Sequence, residues 1–372
     1  MTDEQSSSDI SAEETEGAEP ARFERRSLIG SGGLGDVYLV HDHLMERDVA
    51  VKSPRDNEEV ATTDREGQFV QEARLTGQLE HPNIVPAYDL IEADGSRPSS
   101  LIMKYVDGEP YSKFIERLQH DPSDESLYAA LQVFLKVCDA VSFAHEKGVI
   151  HCDLKPENVM VGKHGQVHVM DWGAALRRSQ EAGSRGKDNA DEPLFGSLAY
   201  MAPEQLTGDR RAIDVTTDVY GLGGILCALV TGQPPRHGVG DIADWRTTPS
   251  IEDRKGAVDA PPELCRICEE ALHPSQGDRY PSVAVLKSEV ETFLSGGGWF
   301  QTLRYLAGDV IVSEGDLGTD AFIITEGVCD VFKGPPGDSR RHLRSMGPGE
   351  AFGEVAVLVR GPRTATVVAR TD

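Results

Sequence analysis

The run His151-Cys152-Asp153-Leu154-Lys155-Pro156-Glu157-Asn158-Val159-Met160 places an aspartate, a lysine and an asparagine in one short stretch. Those groups can take a hydroxyl proton, neutralise a phosphoryl oxygen and hold a divalent metal, the tasks of a phosphoryl transfer. Farther along, Val167-His168-Val169-Met170 runs into Asp171-Trp172-Gly173. A short strand there would deliver a second acid to the same place.

Upstream lie the elements that must position this chemistry. In Leu28-Ile29-Gly30-Ser31-Gly32-Gly33-Leu34-Gly35-Asp36-Val37-Tyr38-Leu39-Val40, three glycines (Gly30, Gly32 and Gly35) fit G-x-G-x-x-G. A dinucleotide-binding turn carries the same glycines but opens a helix. Here a strand pattern follows, so the stretch reads as a β-hairpin. A further strand ends in Val49-Ala50-Val51-Lys52. Glycines at a hairpin let backbone amides approach phosphates without Cβ clashes, and Lys52 adds a point charge. Residues 53–66 are polar and read as a loop and a helix start. Phe69 to Leu79 has helical spacing and carries Glu72, ahead of His81-Pro82-Asn83-Ile84-Val85. Residues 84–91 and 101–106 read as strands around a polar loop at 93–100. Residues 129–147 read as a long, mostly buried helix.

Together these motifs resemble the Hanks-type (eukaryotic-like) serine/threonine protein kinases. The resemblance covers roughly residues 23–295 and implies an α+β, bilobal fold, with an N-lobe at 23–105 and a C-lobe at 106–295. It implies ATP and Mg²⁺ as cofactors and protein hydroxyls as acceptors. By that resemblance Asp153 orients or deprotonates the hydroxyl, and Lys155 contacts the transferred phosphoryl. Asn158 and Asp171 hold Mg²⁺, and Lys52, held by Glu72, binds the α and β phosphates. Gly30, Gly32, Gly35, Val37, Ala50, Met103, Tyr105 and Met160 surround the nucleotide. Met103 stands at the gatekeeper position, and Lys104-Tyr105-Val106 is the hinge. Lys155, two residues after Asp153, points to the serine/threonine class.

The activation segment would run from Asp171 to Glu204, with a soluble, mobile stretch at 177–191. It closes in Gly196-Ser197-Leu198-Ala199-Tyr200-Met201-Ala202-Pro203-Glu204, a peptide-docking loop with Ser197 where threonine is usual. Asp218 would bind the catalytic-loop backbone from a buried helix, and Arg279 would pair with Glu204. Three further positions depart from the family pattern. Cys152 replaces the arginine that usually meets an activation-loop phosphate, so activity should not depend on phosphorylation there. Trp172 replaces a phenylalanine, and Thr76 stands where an apolar residue is usual, which implies looser packing. An ATP-binding pseudokinase scaffold with a docking jelly roll is the rival reading, resting on Cys152 and Trp172. A small-molecule kinase of similar fold is disfavoured by the docking loop.

After a linker at 296–300 the pattern changes to short strands at 309–312, 321–324, 328–333 and 366–369, punctuated by glycines. This suits a small β jelly roll over 301–372. Gly347-Pro348-Gly349-Glu350-Ala351-Phe352-Gly353-Glu354-Val355-Ala356-Val357-Leu358, followed by Pro362-Arg363-Thr364-Ala365-Thr366, resembles the phosphate-binding cassette of cyclic nucleotide-binding domains. The resemblance implies that Gly353 and a helix start offer amides to the phosphodiester. It also implies that Arg363 pairs its charge, Glu354 accepts the ribose 2′-hydroxyl, and Thr364 leans the site towards cGMP over cAMP. The family closes the nucleotide with C-terminal helices, and the sequence ends at Asp372, so the domain reads as incomplete.

Composition narrows the function classes. Among 372 residues, 37 basic and 62 acidic side chains leave a net charge of -25, which argues against a nucleic-acid partner. Six cysteines scattered through so long a chain suggest a reducing, cytoplasmic setting. Cys265 and Cys268 form a lone pair on the apolar side of an amphipathic helix, which reads as core rather than zinc. No signal peptide is visible, and residues 1–22 read as a disordered acidic tail. The longest apolar run, near Gly221 to Val230, is too short to cross a bilayer. The oligomeric state is left open.

Overall fold

The computed structural model describes residues 22–32, 35–54, 63–93, 98–177, 197–236, 247–251, 260–295, 303–318, 320–335, 340–359 and 361–371. The expectations for the acidic tail, most of the polar loop after Lys52, the soluble stretch 178–191 and the linker 296–300 fall outside those residues. Two compact units divide the chain, Met1–Trp299 and Phe300–Asp372.

The first unit opens with β1 (Phe23–Gly32), β2 (Gly35–Asp42) and β3 (Arg47–Ser53), then α1 (Thr63–Gln78), β4 (Ala87–Ile91) and β5 (Ser100–Lys104). Their antiparallel sheet has the order β1-β2-β3-β5-β4. The glycine-rich stretch is therefore a hairpin, with Gly30 opposite Val37 and Gly32 opposite Gly35. In β3, Ala50 and Lys52 point to the buried face while Val51 is only half-buried, the two-residue period of a strand. Ala50, Phe69, Ala73, Val85, Leu101 and Met103 pack as one cluster between sheet and helix. Strand β4 begins three residues after Ile84, which forms an isolated bridge with Val169 instead.

Short β6 (Gly108–Pro110) leads into α2 (Tyr111–His120) and α3 (Asp124–Glu146), followed by β7 (Val149–Ile150), β8 (Val159–Gly162), β9 (Val167–Val169) and β10 (Leu176–Arg177). The last helices of this unit are α4 (Val215–Thr231), α5 (Pro262–Ala271) and α6 (Val283–Ser295). Ser123 caps α3 by accepting from Ser126 N at 3.1 Å. Asp214 caps α4 the same way, from Thr216 N at 2.8 Å. Helix α4 is buried from Thr216 to Thr231 and apolar on every side from Gly221 to Val230, which makes it the post around which the helical lobe packs. Close approach requires its glycines: a Cβ at Gly221 would press on Leu154 and one at Gly223 on Ala271. Cys265 and Cys268 are buried on the apolar side of α5. Helix α3 is long and apolar enough to cross a bilayer, and eleven of its residues are buried in this lobe's core.

The second unit contains β11 (Val310–Val312), β12 (Phe322–Ile323), β13 (Cys329–Lys333), β14 (Arg341–Met346), β15 (Ala351–Phe352), α7 (Glu354–Val359) and β16 (Thr366–Ala369). Two antiparallel sheets form, β11-β16-β13-β14 and β12-β15. Strand β14 escapes the sequence reading because Arg341 to Ser345 are all exposed and carry no alternation of apolar side chains. Ile324, Cys329, Val331, Met346, Phe352 and Val367 make the core.

Candidate active site

Three elements converge on Lys52. Its Nζ donates to Glu72 Oε1 at 2.6 Å and to Asp171 Oδ1 at 3.2 Å. Strand β3, helix α1 and the turn after β9 are thus tied by one ammonium. Burial works against the charge of Lys52, but Asp171 and Glu72 outweigh it and raise the pKa above the usual lysine value. Desolvation likewise opposes ionisation of Asp171, whose carboxyl the same ammonium nonetheless holds below the usual range. Burial pushes the Glu72 carboxyl above its usual value, against the pull of the Lys52 ammonium. The Thr76 hydroxyl donates to Glu72 O at 3.0 Å and is buried. That bond satisfies the hydroxyl inside its own helix.

The side chains of the loop at 151–158 form a second node. Asp153 Oδ2 accepts from Lys155 Nζ at 2.8 Å and from Asn158 Nδ2 at 3.1 Å. Its other oxygen accepts from Ser197 N at 2.9 Å. Lys155 Nζ also donates to Ser197 Oγ at 2.7 Å. Asn158 Nδ2 donates again, to Asp153 O at 2.7 Å. The amide nitrogen is therefore spent, which leaves Oδ1 as the atom of Asn158 that could serve a metal. Met170 N donates to Asn158 O at 2.8 Å, which fixes the strand ending in Asp171 against this loop. The Asp171 side chain is 46% exposed, so its carboxylate faces accessible space. An amide oxygen and a carboxylate are hard oxygen donors of the kind Mg²⁺ takes.

The loop is held from below by α4. Asp218 Oδ2 accepts from His151 N at 2.8 Å and lies 2.7 Å from His145 Nε2, while Oδ1 accepts from Cys152 N at 2.9 Å. Three bonds to one buried carboxylate set the loop's path. Cys152 and Asp171 both adopt left-handed backbone angles, with φ of 65° and 57°. Such conformations cost about 1–3 kcal/mol each in non-glycine residues and persist where surroundings impose them. Burial and the Asp218 charge push the Cys152 thiol well above its ordinary pKa, which leaves it an unreactive core group. Trp172 is buried beside the His151 ring, with centroids 4.5 Å apart.

Four supports were not anticipated. His145 binds Asp218, His151 Nε2 donates to Met170 O at 3.1 Å, Gln205 Nε2 donates to Cys152 O at 2.8 Å, and Lys104 Nζ lies 3.2 Å from His168 Nε2. Each acts across a long sequence separation, and nothing in the neighbouring residues signals it. Gly30, Val37, Ala50, Met103, Tyr105 and Met160 all lie in the described residues. Ala50 and Met103 are buried against Val37, Tyr105 and Met170.

Desolvation would raise the pKa of Asp218, but the His145 hydrogen bond and charge and the His151 amide hold it below the carboxylate range. A depressed folded pKa contributes stability that is complete above the unfolded value of about 4 and is lost as pH falls through the folded value. Urea unfolding of Asp218→Asn is expected to show the largest deficit at pH 7. That deficit should narrow towards the wild type below about pH 4; a gap constant with pH contradicts the charge as its source.

In the second unit, Gly353, Glu354, Arg363 and Thr364 line one concavity together with Val312, Phe352 and Val367. Glu354 and Thr364 are exposed, whereas Arg363 is only 6% exposed. Arg363 Nη1 donates to Asp320 O at 2.7 Å and to Gly353 O at 3.0 Å. Gly353 has a φ of 85°, and a Cβ there would press on that nitrogen.

Two family models match this chain. A protein kinase domain matches residues 23–289, and a cyclic nucleotide-binding domain matches residues 302–372. The chain is 34% identical over 299 residues to the serine/threonine-protein kinase PknD of Protochlamydia amoebophila, covering 73% of this chain and 30% of that protein. It is 31% identical over 299 residues to PknD of Chlamydia caviae, covering 74% and 31%. Against PknB of Mycolicibacterium smegmatis it is 33% identical over 280 residues, covering 72% and 42%. The matched part is thus less than half the length of each of these relatives.

Proposed function

Because this chain belongs to the protein kinase family, we propose that it transfers the γ-phosphate of ATP to serine or threonine hydroxyls of protein substrates. The observation that carries this is the meeting of Lys52, Glu72 and Asp171 within 3.2 Å, with Asp153, Lys155 and Asn158 on the adjoining loop. Lys52 would bind the nucleotide's α and β phosphates while Glu72 keeps its ammonium in place. Asn158 Oδ1 and Asp171 would hold Mg²⁺. That ion, when bound, supplies charge neutralisation for the phosphates. Asp153, anchored through both oxygens, would orient the acceptor hydroxyl and take its proton. Lys155, already bridging Asp153 and Ser197, would place positive charge where the phosphoryl group passes.

The peptide-docking loop supports a protein acceptor. Glu204 and Arg279 hold its end, and Ser197 reaches both Asp153 and Lys155. The second unit would take a cyclic nucleotide at the concavity around Arg363, with Glu354 on the ribose. A direct test is transfer of radiolabelled phosphate from ATP to the chain itself and to a generic protein acceptor, with and without cGMP or cAMP. Incorporation into serine or threonine supports the reading. No incorporation with Mg²⁺ present, despite ATP binding, favours the scaffold.

Activity should be indifferent to phosphates on the activation segment. Cys152 is buried and neutral where an arginine would be needed to grip such a phosphate. Phosphatase treatment is expected to leave the rate within about twofold, and Ser179→Asp, Ser184→Asp and Ser197→Asp should not raise it strongly. Abolition by the phosphatase contradicts this.

A further inference from the structure

Residues Pro203–Thr207 form a 3₁₀ turn where the docking loop ends, and Gln205 is buried inside it. Its backbone N donates to Ala202 O at 3.0 Å, and its side-chain Oε1 accepts from Ala202 N at 2.9 Å. Those two bonds close the turn. The third crosses to another loop: Nε2 donates to Cys152 O at 2.8 Å, 53 residues away in sequence. A buried primary amide spent at both ends is hard to replace, because losing either bond strands a buried backbone group.

That carbonyl belongs to the peptide that enters Asp153. Cys152 has a φ of 65°, lies outside any helix or strand, and has its N held by Asp218 Oδ1 at 2.9 Å. Two side chains, Asp218 and Gln205, therefore set both polar ends of a residue in a costly conformation. A peptide unit is planar, so fixing Cys152 O also fixes the nitrogen from which Asp153 departs. The docking loop grips the Asp153 carboxylate as well, through Ser197 N to Oδ1 at 2.9 Å. Asp153 is thus held by its side chain at Ser197 and by its backbone through Gln205. Cys152, buried and neutral, offers a phosphate no charge with which to tie these loops.

Resting on the reading of this chain as a kinase that works through Asp153, we propose that Gln205 is a positioning residue. It carries the order of the docking loop to Asp153 without a phosphate. It acts through the Cys152 carbonyl and not on a substrate. Its donor keeps the Cys152–Asp153 peptide, and so the base, in line with the acceptor hydroxyl. A misplacement of about 1 Å at such a group can cost on the order of 10²-fold in rate.

Phosphoryl transfer from ATP to a generic protein acceptor, by the phosphatase-treated full chain, tests this with two variants. Gln205→Met, of similar length with neither donor nor acceptor, should lower kcat roughly 10- to 100-fold at every pH, with the KM for ATP unchanged. Gln205→Glu keeps the acceptor for Ala202 N but turns a carboxylate oxygen towards Cys152 O. A buried carboxyl titrates above its usual value, and once protonated it can donate to that carbonyl. The kcat of Gln205→Glu relative to wild type should therefore climb as pH falls from about 8 to about 6. Taking the ratio removes the titration of groups that both proteins share. A wild-type kcat for Gln205→Met, or a Gln205→Glu profile parallel to the wild type, overturns the assignment while the kinase reading stands. Should Gln205→Met not fold, the pH profile of Gln205→Glu decides alone. If the wild type binds ATP and transfers nothing, the kinase reading falls and this assignment with it.

Discussion

Asp153→Asn is expected to bind ATP as the wild type does and to lose phosphoryl transfer by about 10²–10⁴-fold, the range for removing a positioned general base. Geometry makes the substitution severe. One carboxylate oxygen accepts from Lys155 Nζ and Asn158 Nδ2, and the other from Ser197 N. An asparagine must turn an NH₂ towards one of these donors, and that bond becomes a clash of like groups. Its amide also cannot take a proton from a hydroxyl. The measurement pairs single-turnover transfer with a calorimetric affinity for ATP. Retained transfer with Asp153→Asn sinks the assignment of Asp153 as the base. A parallel loss of ATP affinity would instead report a collapsed loop.

The second large effect concerns stability. Arg279→Ala should destabilise the first unit by about 3–5 kcal/mol, the usual result of stripping one partner from a buried ion pair. Arg279 Nη1 and Nη2 reach Glu204 Oε1 and Oε2, both at 2.8 Å, with side chains 0% and 7% exposed. The same guanidinium donates to the carbonyls of His273, Thr216 and Pro274. Without it, Glu204 keeps the Thr217 hydroxyl and a buried, uncompensated charge. A thermal midpoint lower by on the order of 10 °C follows, since 1 kcal/mol moves domains approaching this size by about 2–4 °C. Arg279→Lys should recover only part, because an ammonium cannot match the bidentate geometry. A shift under about 2 °C for Arg279→Ala would show that the pair contributes little.

The two nodes of the candidate active site differ in how they could be read. Asp153, Lys155 and Asn158 sit within one loop, so their relation is written in adjacent positions of the sequence. Lys52, Glu72 and Asp171 are far apart, and composition or periodicity alone could not join them. Their motif spacing and family resemblance led to the expectation that they meet. In the tail, the cassette residues were legible by resemblance, but strand β14, whose exposed side chains carry no alternating pattern, was not.

Local chemistry determined a good deal by itself. Glycines at the hairpin, alternation in β3, the helical period of α1 and α3, and the wholly apolar run of α4 each follow from neighbouring residues. Only the tertiary structure decided what those elements do to one another. It set the reach of Asp218 to two loop amides and His145, the burial that makes Cys152 an inert thiol, and the left-handed backbone imposed at Cys152 and Asp171. Dihedral preference and hydrophobic period act over a few residues. Hydrogen bonds to a buried carboxylate, and the dielectric that sets a pKa, come from whatever the folded chain brings alongside.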